Sequence, residues 1–365
     1  MAQNNKRKLL KPLQQGIMAV VVAIPIVAPL SSPVSPTWAN TSITIENSQQ
    51  VPSIKNIRYR IPAKFNQSSE FSEGLAPIKV GKKYGFINRR GKLVIQANFE
   101  EVLTFSDGLA AVKLDSKWGY INRQGRLVIQ PQFDEPSLFE NGLAAVKIGN
   151  KYGFICKKGK LVIEPQFDAV TSAFVEGLAT VKIGDKYGYI NKKGQIVIPT
   201  QFEDALFFTN GLAAVKFAQK WGFINKQGKL VIQPQYDAAN LFAEELTSVK
   251  IGEKYGFINQ QGTLVIPANF DAATPFREEL ARVKVGSKYG YINSKGDLVI
   301  EPQFDDATVF YEGLAPVKIA SKWGYINKNG KLVIEPQFDE AHHFSEGLAN
   351  VCASSKCGFI RNPLE

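Results

Sequence analysis

Short apolar runs separated by turns extend along most of the chain, and their spacing predicts β-strands. In residues 142–174, three such runs occupy positions 143–147, 152–155 and 160–163. The connections between them are of hairpin length, so the three strands are predicted to form an antiparallel meander. An extended stretch at 164–168 follows and contains Pro165, which cannot donate to a strand ladder. Helical periodicity is absent throughout the region.

The second turn of this unit follows an Asn-x-x-Gly pattern, as at residues 122–125. Asn favours the first position of a type I turn because its side chain caps the backbone. Gly takes the left-handed position that follows and forms a bulge. This turn therefore fixes the register of each hairpin.

The unit is one of about nine copies, each marked by an aromatic residue followed by Gly. The spacing is 34 residues everywhere except for one interval of 35 between Tyr152 and Tyr187. A ninth copy, Cys357 and Gly358, lacks the aromatic side chain. A fixed period of this size is typical of a solenoid, a propeller or a linear array.

The array begins with the second half of a unit and ends with the first half of one. The two halves could join and close a ring, as in propellers. Alternatively, the unit begins at the third strand and the array stays open. Since a closed ring of nine three-stranded units would be unusual, we predict an all-β fold of tandem meanders that forms an open, twisted solenoid.

The N-terminus has the features of a secretion signal. Residues 1–15 carry four positive charges, residues 17–30 are apolar, and Thr37-Trp38-Ala39 places small residues before a cleavage point. We predict a signal peptide at 1–39, a linker at 40–58, the repeat array at 59–361 and a tail at 362–365. The mature protein is then periplasmic or secreted, with no membrane span after cleavage.

The composition and charge of the chain limit the kinds of functional site that it can contain. The formal net charge is +11, from 44 Lys and Arg against 33 Asp and Glu. The basic residues are too dispersed to indicate a nucleic-acid surface. Two His and three Cys leave few ligands for a metal or for a His-based active site. We therefore predict no metal site, no cofactor and no catalytic residues.

The aromatic residue before Gly is the candidate binding platform, because Trp and Tyr can stack on ligands. Packing in the core between units is the alternative that we favour. The eight positions are Tyr84, Trp118, Tyr152, Tyr187, Trp221, Tyr255, Tyr289 and Trp323.

A lysine precedes each of these aromatic residues, and a second lysine recurs at the end of the first strand. The first set forms a candidate basic stripe for an anionic polymer. One acid also recurs in every unit, so we favour lysine–carboxylate pairing between units. The stripe comprises Lys83, Lys117, Lys151, Lys186, Lys220, Lys254, Lys288 and Lys322.

Three less regular features remain. Cys352 and Cys357 flank a hairpin turn, where facing Cβ atoms lie close together, and we predict a disulfide between them. His342 and His343 are expected to point to opposite faces of a strand as surface residues. Glu245 and Glu279 replace the Gly that precedes Leu-Ala elsewhere, so either this position does not require a positive φ or those units are strained.

The phrase Lys-Trp-Gly-Tyr-Ile-Asn-x-x-Gly-x-Leu-Val-Ile-x-Pro-x-Phe-Asp, with Phe-x-Glu-Gly-Leu-Ala-x-Val-Lys after it, resembles the WG-repeat or KWG-repeat proteins of bacteria. The resemblance covers residues 59–361. It implies β-hairpin repeats without an established enzyme activity.

From these observations we predict a monomeric exported scaffold that binds a protein or an envelope polysaccharide. Two alternatives stay open. One is a glycan-acting hydrolase, for which Glu245 and Glu279 are the only acids that depart from the repeat pattern. The other is a purely structural assembly element.

Overall fold

The computed structural model describes residues 53–365, and these residues form a ring of nine small antiparallel β-sheets. The predicted signal peptide and most of the predicted linker lie outside the described residues. Each sheet is a blade, and most blades contain four strands. The ring opens with β1 (Tyr59–Phe65), which belongs to the last blade.

The remaining strands follow in chain order. Blades 1 to 3 contain β2 (Gln67–Ser68), β3 (Leu75–Val80), β4 (Lys83–Asn88) and β5 (Leu93–Phe99); β6 (Leu109–Leu114), β7 (Lys117–Asn122) and β8 (Leu127–Phe133); β9 (Glu135–Pro136), β10 (Leu143–Ile148), β11 (Lys151–Cys156) and β12 (Leu161–Phe167). Blades 4 to 6 contain β13 (Ala169–Val170), β14 (Leu178–Ile183), β15 (Lys186–Asn191) and β16 (Ile196–Phe202); β17 (Asp204–Ala205), β18 (Leu212–Phe217), β19 (Lys220–Asn225) and β20 (Leu230–Tyr236); β21 (Ala238–Ala239), β22 (Leu246–Ile251), β23 (Lys254–Asn259) and β24 (Leu264–Phe270). Blades 7 to 9 contain β25 (Ala272–Ala273), β26 (Ala281–Val285), β27 (Lys288–Ile292) and β28 (Leu298–Phe304); β29 (Asp306–Ala307), β30 (Leu314–Ile319), β31 (Lys322–Asn327) and β32 (Leu332–Phe338); β33 (Glu340–Ser345), β34 (Leu348–Ala353) and β35 (Lys356–Arg361), with β1.

Within a blade, burial follows the position of each strand. The second strand is buried on both faces at its first four residues, as in β10, whereas the fourth strand has two exposed residues at its start, as in β12. The fourth strand therefore forms the outer rim of the ring. The first strand, at the opposite edge of the sheet, faces the central axis. Blade 2 has only the bridge between Val102 and Val112 at that inner edge.

The Asn-x-x-Gly turn has the predicted geometry. In blade 2, Asn122 Oδ1 accepts hydrogen bonds from the amides of Gln124 and Arg126. Gly125 N donates to Asn122 O, and Gly125 has a φ of 78°. The turn prediction is therefore confirmed.

The core consists of nine separate clusters among the described residues, one for each seam between neighbouring blades. An open array of nine units would have only eight such seams. The additional cluster joins blade 9 to blade 1, with Phe359 and Leu348 packed on Phe71 and Ile78. The seam between the two ends of the chain is thus built like all the others.

The prediction of an open solenoid is wrong, because the chain closes into a nine-bladed β-propeller. β1 pairs antiparallel with β35 and supplies the outer strand of blade 9, which the C-terminal part of the chain lacks. The half-units at the two ends therefore complete one blade, as the alternative proposed. The three-stranded unit was also incomplete, because a two-residue inner strand gives no periodic signal in the sequence.

Acidic side chains link neighbouring blades near the turn before the second strand. Each accepts a hydrogen bond from the backbone amide 35 residues later, as between Glu73 and Gly108 N. Glu346 Oε1 accepts the equivalent hydrogen bond from Gly74 N at 3.0 Å, across the seam between the two ends of the chain. The other links join Asp107 to Gly142, Glu176 to Gly211, Glu244 to Glu279, Glu278 to Gly313 and Glu312 to Gly347.

The same turn decides between the two interpretations of Glu245 and Glu279. Their φ values are 72° and 73°, in the region where glycines occupy this position in the other blades. Side chains with a Cβ are strained there by about 1 kcal/mol. The interpretation that these two units carry strain is therefore confirmed.

We expect Glu245→Gly and Glu279→Gly each to raise the free energy of unfolding by about 0.5–1 kcal/mol, because each relieves a left-handed backbone strain. Chemical denaturation of each variant measures this gain. Glu244→Gly is the control, since Glu244 also has a positive φ but accepts a hydrogen bond from Glu279 N. A loss of stability in Glu245→Gly would contradict the strain.

Candidate functional site

The eight platform aromatics lie on the third strand of each blade and are largely covered. Trp118 is only 7% exposed, and the other seven are half-buried. In six of the blades, the lysine near the end of the second strand lies over the ring, with Nζ 5.1 Å from the ring centroid of Tyr84 and 5.9 Å from that of Trp323. This arrangement places the rings within the blades. A ligand-binding role for them stays a prediction.

The Gly after each aromatic residue permits a close approach of two strands. At Gly222, a Cβ atom would lie 2.6 Å from Ile232 O and 2.7 Å from Pro234 N. The fourth strand bulges at this point, because the pairing register shifts between Trp221 and Phe223. The backbone of the outer strand thus occupies the space that a side chain would need.

The candidate basic stripe is paired with carboxylates. Lys117 Nζ lies 2.5 Å from Asp134 Oδ1, and Asp134 Oδ2 accepts a hydrogen bond from Gly149 N of the next blade. The same ion pair recurs for Lys83, Lys151, Lys220, Lys254, Lys288 and Lys322. Among the ion pairs of residues 53–365, none involves Lys186. The pairing between units that we favoured from the sequence is therefore present in seven blades.

These contacts lower the pKa of the aspartates. For Asp134, the side-chain hydrogen bond from Lys117 is the largest cause, and the amide of Gly149 adds to it. The pKa values of Asp168, Asp237, Asp271, Asp305 and Asp339 are lowered by the equivalent lysine and turn amide. A carboxyl with a lowered pKa in the folded state stabilises the fold above its unfolded pKa. That contribution is lost as the pH falls through the lowered value.

We expect the thermal midpoint to fall as the pH drops below about 4, the ordinary range of an aspartate. A triple variant, Asp134→Asn with Asp168→Asn and Asp237→Asn, should have a lower midpoint at pH 7 and a smaller loss between pH 7 and pH 3. Calorimetry over this pH range tests the expectation. Asp185→Asn is the control, because Asp185 is exposed on a turn. An unchanged acid loss in the triple variant would contradict the role of these ion pairs.

A cavity of about 730 Å³ opens where blades 9, 1, 2 and 3 meet. Only the central channel can bring residues of four successive blades of a nine-bladed ring together, so the cavity belongs to that channel. The lining residues are Asn66, Gln67, Ser68, Ser69, Pro77, Tyr84, Val102, Leu103, Thr104, Leu138, Glu340, His342, Asn350, Cys352, Ser355 and Cys357.

Departures from the repeat pattern shape this cavity. Asn350 occupies a position that is Ala in blades 2, 3 and 5, and it is 1% exposed. Its Oδ1 accepts a hydrogen bond from Ser68 Oγ at 2.7 Å, and its Nδ2 donates to Ser68 O at 2.8 Å. The amide therefore has its partners across the seam between blades 9 and 1, and it fixes one wall of the cavity.

Tyr84 is the only platform aromatic among the lining residues of this cavity. Its hydroxyl donates to Gln67 Oε1 at 2.5 Å, which ties the third strand of blade 1 to its inner strand. The eight aromatics are equivalent in sequence, because the repeats alone do not show which ring borders the channel.

The two histidines behave differently from the expectation that they point to opposite faces. His343 Nε2 lies 3.0 Å from Glu70, and His342 Nδ1 lies 4.0 Å from the same carboxylate. A register shift in β33 between Ala341 and Phe344 explains this, since a bulge breaks the alternation of side chains. His343 also stacks on Tyr311 with ring centroids 4.0 Å apart. The described residues contain no group of His, Cys, Asp or Glu that could hold a metal ion.

The cysteines occupy the closing blade and blade 3. Cys352 and Cys357 face each other across β34 and β35 and form a disulfide. Cys156 is free and half-buried at the turn position where other blades have Asn. The disulfide joins two strands of blade 9, and both cysteines border the channel cavity.

Within residues 53–365, we find no helix with the length and hydropathy of a membrane span.

Comparison with solved structures supports the propeller fold alone. A crystal structure of the eukaryotic initiation factor aligns with a TM-score of 0.57 at 11% identity, over 86% of this chain and 94% of that chain. Hsv2 from Kluyveromyces marxianus aligns with a TM-score of 0.41 at 12% identity, over 62% of this chain and 90% of its own.

A comparison with curated proteins returns no match. The family model described as "WG containing repeat" matches nine consecutive segments, at 58–84, 84–118, 118–152, 152–187, 187–221, 221–255, 255–289, 289–323 and 323–357. These segments span most of the sequence and coincide with the period of the blades. The chain therefore belongs to the WG-containing repeat family.

Proposed function

We propose that this propeller is an exported, non-catalytic scaffold that binds an envelope glycan in the channel cavity between blades 9, 1, 2 and 3. One observation carries the proposal. The ring is nearly uniform, yet polar residues that break the repeat, such as Asn350, Ser68 and His342, gather at this cavity. Export follows from the secretion signal expected at residues 1–39.

The lining suits a sugar chain. Half of the lining residues have amide or hydroxyl side chains and few are charged, and such groups form hydrogen bonds with sugar hydroxyls. Tyr84 adds an aromatic ring at the edge. The volume of about 730 Å³ lies within the usual range of ligand pockets.

The lysine rows support binding through hydrogen bonds more than through net charge. Seven of the eight stripe lysines already pair with carboxylates in the connections between neighbouring blades. A diffuse cation surface would lose its ligand at high salt, because salt screens exposed charges. Retention of glycan at high salt is therefore the expected behaviour.

The position of the two irregular acids supports a scaffold over a hydrolase. Glu245 and Glu279 lie exposed on turns of neighbouring blades, and the Glu279 side chain is 88% exposed. A glycosidase needs two carboxyl groups that flank a bound sugar in an enclosed site. Neither glutamate is among the residues that line the channel cavity.

A pull-down of the exported protein on purified cell-wall material, at low and at high salt, tests the proposal. We expect retention at both salts and a loss of retention in Tyr84→Ala. Tyr255→Ala is the matched control, because Tyr255 holds the same position in blade 6 and does not line the cavity. Equal retention of the two variants, or release of the unmodified protein at high salt, would contradict glycan binding in the cavity. Absence of binding at both salts would favour a protein partner instead.

A further inference from the structure

The outer strands of most blades begin with an exposed apolar pair. Val94, Val128, Val162, Val197, Val231, Val265 and Val299 occupy the same position in blades 1 to 7, and they are 39–47% exposed. Each follows a Leu or Ile that is exposed or half-buried. In the sheet order, these strands have a neighbour on one side only. The rim thus presents backbone donors and acceptors beside apolar side chains.

Blade 8 differs because the chain covers its rim. Val333 holds the same position as the seven exposed valines and is 6% exposed. The segment before β1 lies beside β32 in parallel, with Ile54 N donating to Val333 O at 2.8 Å and Glu335 N donating to Ile54 O at 3.0 Å. Ile57 packs against the cluster that contains Val333. Residues 53–58 therefore dock on the rim of blade 8, with a parallel β-bridge at Ile54.

Side chains fix the position of this docked segment. Ser53 Oγ donates to Glu335 Oε1. Ile57 N donates to Gln337 Oε1 at 3.4 Å, and Gln337 Nε2 donates to Ile54 O at 3.4 Å. Pro336 lies between the two polar residues, so a proline in the rim strand does not prevent pairing. The docked segment has a Ser, an Ile directly after it and a second Ile three residues later.

Blades 3 and 7 present the same strand without a cover. The sequence Leu-Val-Ile-Glu-Pro-Gln-Phe occurs three times, in β12, β28 and β32. The residues that match Glu335 and Gln337 are Glu164 and Gln166 in blade 3 and Glu301 and Gln303 in blade 7, and all four are exposed. Every rim group that hydrogen-bonds to residues 53–58 on blade 8 is thus repeated at two open edges.

We propose that the rims of blades 3 and 7 bind an extended segment of a partner protein by strand addition, in the mode that residues 53–58 use on blade 8. The segment runs parallel to the rim strand, with a small hydroxyl residue at the glutamate and apolar residues one and four positions after it. Main-chain hydrogen bonds supply affinity, and the exposed valine selects the apolar side chain. The rims are separate from the channel cavity, so this inference does not depend on glycan binding.

The test uses the full chain and a synthetic peptide with the sequence of residues 53–58, capped at both ends. Methyl NMR of the valines is followed as peptide is added. We expect saturable shifts at Val162 and Val299, and no shift at Val333, whose edge is already covered. The peptide with Ile54→Asp and Ile57→Asp should cause no shifts.

Val162→Lys and Val299→Lys, read from the methyl groups of the neighbouring Leu161 and Leu298, are expected to weaken binding at their own blade about tenfold and to leave the other blade unchanged. Both variants should fold, because Arg60 already occupies the equivalent rim position in blade 9. Shifts confined to Val333 would mean that the peptide only displaces the chain's own segment, and this would overturn the proposal. An absence of shifts at millimolar peptide would also overturn the proposal, and so would equal shifts in the lysine variants. Shifts at Val162 with soluble cell-wall glycan in place of the peptide would overturn it as well.

Discussion

Replacing Gly222 with alanine is expected to lower the free energy of unfolding by more than about 3 kcal/mol. The new Cβ would lie 2.6 Å from Ile232 O and 2.7 Å from Pro234 N, both of which are backbone atoms of the outer strand. Backbone cannot move aside as a flexible side chain can, so blade 5 must open at its third and fourth strands. Chemical denaturation of the purified variant measures the loss.

Gly211→Ala is the matched control in the same blade. Gly211 has a φ of 79° and no heavy atom within 4 Å of a Cβ built there. Its replacement should cost about 1 kcal/mol through backbone strain alone. Similar losses in the two variants would contradict the close approach of the strands, because only Gly222 lies against the neighbouring backbone.

Phe359→Ala should destabilise the protein by about 3–5 kcal/mol, the usual cost of removing a fully buried phenylalanine. Phe359 is 0% exposed, and its ring centroid lies 4.8 Å from that of Phe71 across the seam between blades 9 and 1. The cost reflects both the lost apolar contact and the cavity that remains. Thermal and denaturant unfolding provide the measurement.

Phe257→Ala is the control for this second prediction. Phe257 is equally buried, and its ring centroid lies 5.0 Å from that of Phe276 across the seam between blades 6 and 7. In a closed ring the two variants should lose similar stability, because both seams are internal. A much smaller loss for Phe359→Ala would indicate that the last unit has a free face, as in an open array.

Local structure could be predicted well from the sequence, because its signals are local. The hairpins, the Asn122 turn and the period of 34 follow from residues close together in the chain. These features repeat in every blade, and the repetition strengthened each of them.

Closure could not be decided from the same signals. Whether β1 joins β35 depends on the small rotation between blades, which no single repeat encodes. The two-residue inner strands, such as Ala238–Ala239, are too short for any alternation of apolar and polar residues. Because these inner strands were not predicted, a closed ring of three-stranded units looked unusual and we predicted an open solenoid.

The functional surfaces depend on contacts distant in sequence. The acid-to-amide links between blades did have a signal, the recurring Glu-Gly-Leu, but their partners lie 35 residues away. No sequence signal predicted the position of residues 53–58 on β32, because the same seven-residue strand occurs in three blades. Asn350 and Ser68 stand out from the repeat, yet only ring closure brings them together.

Closure is the central claim, and an electron spin distance between the two ends of the array tests it most directly. Spin labels at Lys82 and Ser355, in a Cys156→Ser background, occupy equivalent exposed turns of blades 1 and 9. Labels at Lys82 and Ser116 provide the reference, because these turns belong to the neighbouring blades 1 and 2. The ring predicts the same distance for both pairs. Since packed sheets lie about 10 Å apart, an open array would place Lys82 and Ser355 on the order of 80 Å apart, and that result would contradict the propeller.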